Sequence, residues 1–149
     1  MATATAAPPR VLIIDDNEAD ARLLREAFAE CGFSPAVAWA PLGPVGLVTL
    51  AQSHRPDERL VIVLDLNMPL ASGREILQTL RTDHRFRQVP VLIFTTSTIP
   101  QDEAACTALG ATAYLRKPAT FEGYQTVVRV IQELLDIHDE PLALIGDEG

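Results

Sequence analysis

No cluster of Lys or Arg occurs anywhere in the 149 residues, and the formal net charge is -8. A dedicated nucleic-acid binder would carry a basic stripe, and anionic membrane surfaces recruit runs of basic side chains, so neither partner class is expected. No apolar stretch approaches the roughly eighteen residues of a membrane-spanning helix. Residues 1–9 are rich in Ala, Thr and Pro without a basic segment or an apolar core, so they read as a flexible tail, not a secretory signal. Cysteine is scarce: Cys31 and Cys106 lack metal-ligand spacing, and each falls within a predicted helix, Cys31 on its apolar side. Buried thiols in a reducing compartment are the expectation, and the cytoplasm the expected location. Internal repeats and a second domain are also missing.

What is present is apolar. Hydrophobic residues make up 48% of the chain, enough for the proper core of one domain. Four short apolar runs stand out: Val11–Ile14, Leu60–Leu64, Val91–Phe94 and Ala113–Leu115. Short β-branched runs separated by helix-length stretches read as buried parallel strands, and a weaker strand is expected around Ala36–Trp39. Between them, Leu23, Leu24, Ala27, Phe28 and Cys31 recur at helical spacing before Gly32, with Glu18 and Asp20 in the first turn. Pro41, Gly43, Pro44 and Gly46 delay the start of a second helix, and 54–59 is a charged connection. A third helix is expected over about Arg74–Thr82, followed by an exposed turn from His84 to Gln88. Pro100 opens a fourth helix that Gly110 closes. The last helix shows the clearest stripe, Tyr124, Val127, Val128, Ile131, Leu134 and Leu135. Five strand–helix repeats make a three-layer α/β sandwich on a five-stranded parallel sheet, flavodoxin-like in class.

Each strong run ends on a residue able to do phosphate chemistry. Val11–Ile14 leads into Asp15 and Asp16, Leu60–Leu64 into Asp65, Val91–Phe94 into Thr95 and Thr96, and Ala113–Leu115 toward Lys117 and Pro118. Open parallel sheets bind ligands beyond the carboxyl ends of their strands, so these side chains converge on one edge. Taken alone, Asp15 and Asp16 would be a helix cap, Thr95 a routine strand end and Lys117 a solvated charge. Three carboxylates together repel one another unless a cation neutralizes them, and hard oxygen donors without His or Cys suit Mg²⁺. A hydroxyl can donate to a phosphoryl oxygen, and an ammonium can pair with a carboxylate and then with an added phosphate. A cis bond at Lys117-Pro118 is one conceivable way to aim the ammonium inward, though cis is the minority form at such bonds.

With these residues in order, the chain from Arg10 to about Asp136 resembles a response-regulator receiver domain of two-component signaling. The matching positions are Asp15-Asp16, Asp65 with Asn67-Met68-Pro69 and Gly73, Pro90 through Thr95-Thr96, Gly110-Ala111, and Tyr114 with Lys117-Pro118. The segment from Asp15 to Asp20, with Thr95-Thr96-Ser97, is most similar to stand-alone regulators paired with bacterial phytochrome-type sensor kinases. The resemblance implies that Asp65 is the phosphoacceptor, taking phosphate from a sensor histidine kinase, of phytochrome type by the narrower likeness. It implies Mg²⁺ held by Asp16, Asp65 and the carbonyl of Asn67, with Asp15 acting mainly through water. Thr95 would hydrogen-bond the phosphoryl group, Lys117 would offset its charge, and Tyr114 would be the aromatic switch, against the plain alternative of a core tyrosine. Such a domain is a signaling switch whose only chemistry is its own phosphorylation and dephosphorylation.

Length leaves no room for a DNA-binding output domain, so output through a partner protein, a phosphorelay or phosphate storage is expected. The segment 137–149 reads as a tail, and Pro141–Ile145 within it as a disordered end or a homodimer arm packing on the last helix. Two other functions compete. A Mg²⁺-dependent phosphohydrolase of similar sheet architecture would want a second Asp two positions after its nucleophile, where this chain has Asn67 after Asp65 and Asn17 after Asp15. A degenerate receiver serving only as an interaction module is disfavored because every chemical residue is present.

Overall fold

The apolar runs pair side by side as one sheet. In a computed structural model, which describes residues 8–55 and 57–139, five parallel strands stand in the order β2-β1-β3-β4-β5. They are β1 (Arg10–Ile14), β2 (Ala36–Ala40), β3 (Leu60–Leu64), β4 (Val91–Thr95) and β5 (Ala113–Arg116). The helices between them are α1 (Glu18–Glu30), α2 (Gly43–Ser53), α3 (Gly73–Thr82), α4 (Pro100–Ala108) and α5 (Phe121–Asp139). Every residue of β3 and β4 is buried, as expected of central strands covered on both faces.

Alternation along the strands splits the core into two halves. Val11, Ile13, Val61, Val63, Leu92 and Phe94 face one side and pack on α1 and α5. Leu12, Ile14, Ile62, Leu64, Val91 and Ile93 face the other and pack beneath α2, α3 and α4. The period of two therefore dictates the three layers. The predicted stripe of α5 is wholly buried, from Tyr124 at 2% exposure to Leu135 at 2%.

Local chemistry fixes where helices begin. Asn17 caps α1 by accepting from the Ala19 and Asp20 amides at 2.9 and 3.2 Å, and Ser72 and Glu75 form a reciprocal capping box on α3. At the other end of α1, Gly32 takes the left-handed conformation, φ 71°, that an L side chain resists.

Five expectations need correction. Helix α2 starts at Gly43 with Pro44 inside its first turn, where a proline costs no hydrogen bond. Gly46, expected to delay that helix, lies within it, where its lack of a side chain leaves room for Ile14; a Cβ there would lie 2.6 Å from Ile14 Cδ1. Cys31 is exposed as the C-cap of α1, one residue past the end of the helix at Glu30, while Cys106 is buried. The turn before β4 is not wholly exposed: Phe86 drops into the lower core at 3% exposure, its ring edge-on to His54. Helix α5 runs to Asp139, beyond the expected boundary at 136. The candidate dimer arm, Pro141–Ile145, and the N-terminal residues 1–7 lie outside the described residues.

One close approach matters for the sheet edge. A Cβ built on Gly73 would clash with the backbone carbonyl of Asp65 and lie 2.8 Å from Leu66 Cα, while the Gly73 amide bonds the Leu66 carbonyl at 2.9 Å. Helix α3 thus begins against the chain leaving β3, and backbone cannot yield as a side-chain tip can. Gly73→Ala is expected to lower the unfolding free energy by about 1–3 kcal/mol in urea titrations, the usual cost of overpacking a fixed site.

Candidate functional site

The strand register decides which side chains meet. Ile14 pairs with Leu64, so Asp15 and Asp65 each stand one residue beyond the ends of neighboring central strands. Their amides are held by the Ala40 and Ile14 carbonyls, both at 3.0 Å. The sheet order reverses between β1 and β3, the place where an open α/β sheet leaves a crevice. On the far side, the Lys117 amide bonds the Thr95 carbonyl at 2.7 Å, which brings the end of β5 to the same edge.

Into this crevice turn Asp15 and Asp65, at 2% and 6% exposure, with Asp16 exposed at the rim. One oxygen from each of the three carboxylates can be chosen so that all lie within 4.8 Å of one another. Lys117 reaches in from the opposite side. Its Nζ lies 2.8 Å from Asp15 Oδ2, 2.7 Å from Asp20 Oδ2 and 3.6 Å from Asp65 Oδ2. The lysine side chain is 7% exposed, and its ammonium sits 5.8 Å from the center of the Phe94 ring. No cis peptide occurs among the described residues, so Lys117 points inward from a trans bond.

Charge in this crevice is poorly compensated. Burial pushes the Asp65 carboxyl up to about 6, against the opposing pull of Lys117 and with the help of the Asp15 charge. Burial also raises Asp15, opposed by hydrogen bonds from Lys117 and the Asn17 amide. For Lys117, burial alone would weaken the ammonium, but its hydrogen bonds to Asp15 and Asp20 and the charges of Asp15 and Asp65 outweigh that and raise its pKa. The donor set is all hard oxygen, so the trio fits a divalent cation such as Mg²⁺.

The remaining predicted residues fall around this center. Thr95 is fully buried at the end of β4, and its hydroxyl accepts from the Ser97 amide at 3.2 Å, closing a turn in its own loop. Asn67 is exposed on the loop after Asp65 and lines a cleft of about 250 Å³ with Leu66, Ser72, Arg74 and Asp102. Tyr114 lies on β5 beside Ile93 of β4, and its hydroxyl is buried without a hydrogen-bond partner. Ser97, the polar group near that hydroxyl, is already engaged: its Oγ donates to Asp102 Oδ2 at 2.5 Å.

Three participants were not expected from the sequence. Asp20, read only as a dipole-matched residue of α1, is a direct partner of Lys117. Its signal was the acidic spacing Asp15, Asp16, Asp20 ahead of a chain whose only lysine is Lys117. Arg74 of α3 pairs with Asp102 of α4, which extends the Ser97 contact into a three-residue link across the loop after Thr95. Trp39, the only tryptophan, donates from Nε1 to the Asp15 backbone carbonyl at 2.7 Å and ties the edge strand β2 to the acidic center.

Comparison with known proteins fits this geometry. The family model described as response regulator receiver domain matches residues 11–129. The "Probable methanogenesis regulatory protein FilR2" of Methanothrix harundinacea is 32% identical over 125 residues, spanning 83% of this chain and 81% of that protein. Among solved structures, the phosphorylated cyanobacterial phytochrome response regulator RcpA is 29% identical, with a TM-score of 0.77 over 88% of this chain and 96% of that one. The Mn²⁺-bound form of response regulator Rcp1 is 26% identical, with a TM-score of 0.72 over 85% and 93%.

The raised Asp65 carboxyl has a consequence for stability. A folded-state pKa near 6, above the ordinary 3.8, means the native state holds a proton that the unfolded chain releases first. Native stability therefore falls as pH rises from about 4 through about 6, and the full cost stands above that window. In metal-free protein, Asp65→Asn is expected to raise the unfolding free energy at neutral pH by about 1–3 kcal/mol, with the gain vanishing near pH 4. Urea titrations of both proteins at pH 4 and pH 7.5 check it; an equal difference at the two pH values would contradict it.

Proposed function

Because the chain belongs to the response regulator receiver family, whose members accept a phosphoryl group and signal by changing conformation, we propose that Asp65 is its acceptor. The observation that carries this reading is the placement of one buried carboxylate, Asp65, 3.6 Å from a buried ammonium and within a trio of metal-capable oxygens. An Asp65 oxygen forms the new bond to phosphorus as the bond from phosphorus to the donor histidine nitrogen breaks, and the electron pair leaves on that nitrogen. Asp65 must be ionized to attack, and a carboxyl near 6 is ionized at neutral pH.

Asp16, Asp65 and the Asn67 carbonyl would hold Mg²⁺ directly, with Asp15 acting through water. The bound ion supplies charge neutralization at the phosphoryl oxygens. Lys117 offsets the added negative charge. Thr95 would give up its local role as acceptor for the Ser97 amide and donate its hydroxyl proton to the phosphoryl group. That displacement draws on the loop holding Ser97, beside the unpartnered hydroxyl of Tyr114, whose buried state is costly and so readily exchanged for another rotamer. Phosphorylation, adding roughly 1.5 to 2 negative charges, would thereby shift the population of Tyr114 and of the α4–β5–α5 face.

A sensor histidine kinase is the donor in this reading. That it is of the phytochrome type is supported by the likeness to RcpA. A homodimer built through Pro141–Ile145 is supported by the apolar content of that segment. The competing phosphohydrolase reading lacks its proton shuttle, since Asn67 stands two positions after Asp65.

Incubation with acetyl phosphate and Mg²⁺ is expected to add the mass of one phosphoryl group to the wild type and none to Asp65→Asn, read by intact-mass spectrometry. Turnover of small phosphoesters without retained mass would favor the hydrolase instead. Through its bond to the Asp15 carbonyl, Trp39 should report cation binding directly. Titration with Mg²⁺ is expected to change its fluorescence with saturation, and Asp65→Asn should weaken the apparent affinity at least about tenfold.

A further inference from the structure

The lysine has more acidic partners than the phosphoryl reaction calls for. An ammonium offers three donors. In this structure Asp15 and Asp20 take two of them, at 2.8 and 2.7 Å, and the third side faces Asp65 at 3.6 Å, too far for a hydrogen bond. Asp15 belongs to the carboxylate trio able to hold a cation, whereas Asp20 stands outside it. A cation on the trio would compete for Asp15 and repel the ammonium. Asp20 is then the partner whose charge remains wholly available to the lysine.

We propose that Asp20 is a positioning residue for phosphoryl acceptance, anchoring the Lys117 ammonium beside Asp65 while Asp15 and Asp65 are engaged elsewhere. This rests on the reading of Asp65 as acceptor. Asp20 suits the task because its backbone is fixed in the first turn of α1, with its amide on the Asn17 side chain at 3.2 Å. Its carboxylate is 20% exposed, at the mouth of the crevice, where it can hold the ammonium without occupying the acceptor's own oxygens. Lysine carries its charge on a flexible four-carbon stem, so a single anchor decides where that charge rests. Without Asp20, the ammonium either collapses onto Asp15 and Asp65, covering oxygens that the cation and the phosphoryl group need, or withdraws to water. Either outcome leaves the acceptor geometry intact but slows the transfer. Asp20 and Lys117 lie 97 positions apart, so no local turn could substitute for the pair.

The test is a double-mutant cycle on the full chain, with acetyl phosphate as donor, saturating Mg²⁺, and labeling followed by intact mass over a range of donor concentrations. Asp20→Asn is expected to lower the maximal labeling rate about fivefold, with little change in the donor concentration for half-maximal rate. Asp20→Glu should recover most of the loss. In a Lys117→Gln background, the Asp20→Asn substitution should have no further effect. A second readout needs no donor. Lys117 is the only lysine, so its side-chain nitrogen gives a single nitrogen-15 NMR signal of its kind. That signal should persist in slow proton exchange when Mg²⁺ is added to the wild type, and be lost on Mg²⁺ addition to Asp20→Asn. An unchanged labeling rate in Asp20→Asn overturns the proposal, as does an equal loss in the Lys117→Gln background or a signal that survives in the variant. A wild type that gains no phosphoryl mass overturns the Asp65 reading and this proposal together, an outcome distinct from the others.

Discussion

The fold's chemistry depends on placing one ammonium against an excess of buried carboxylate. Asp15, Asp65 and Lys117 are each nearly excluded from water, and the attraction among them is strong because so little solvent screens it. A single positive charge cannot neutralize the acidic group. The crevice therefore keeps its lysine in place yet remains short of positive charge, the condition that the proposed divalent ion and the proposed reactivity of Asp65 require. Everything that shapes the sheet edge serves this: the register that sets Asp15 beside Asp65, the amide of Lys117 on Thr95, and the glycine that lets α3 begin against the backbone of Asp65.

Much of this was readable in the chain. Runs such as Leu60–Leu64, each ending on a polar residue, identified the strands and the edge where Asp15, Asp16, Asp65, Thr95 and Lys117 gather, because burial on both faces leaves a continuous apolar signal. The stripe of α5 was equally clear, since a long helix against one sheet face must show its period. Less was readable where a residue's meaning depends on a distant neighbor. Gly46 looked like a helix breaker, yet its small size answers to Ile14 across the layer. Phe86 sat in a polar turn, and only the lower core explains its burial. Cys31 followed the helical spacing one step too far, just past Glu30, the last residue of α1. Asp20 is the same kind of case: an acid in a first turn always suits the dipole, so the local explanation concealed a partner 97 positions away.

The layers also define how a change at the edge can travel. Thr95 and Tyr114 lie on adjacent strands, with Ile93 opposite Tyr114 and Thr95 opposite Arg116. The link from Arg74 through Asp102 to Ser97 crosses from α3 to α4 directly above the loop that follows Thr95. A movement of Thr95 toward Asp65 must either carry Ser97 along or part it from Asp102. The Ser97 hydroxyl gives its proton to Asp102, and the neighboring Tyr114 hydroxyl lies buried without a hydrogen-bond partner. The loop after Thr95 is thus restrained by these bonds beside a buried hydroxyl that lacks a partner.

The solitary lysine has a further meaning for how the protein meets reagents. Eleven of its twelve basic residues are arginines, and the one side-chain amine is 7% exposed and shared between two carboxylates. Amine-seeking acyl donors, aldehydes and cross-linkers therefore find no lysine in open solvent among the described residues. Acylation that did reach Lys117 would remove the one positive charge that pairs with Asp15 and Asp20 and lies beside Asp65, so on the proposed reading covalent damage of this kind would silence a molecule outright instead of merely decorating its surface.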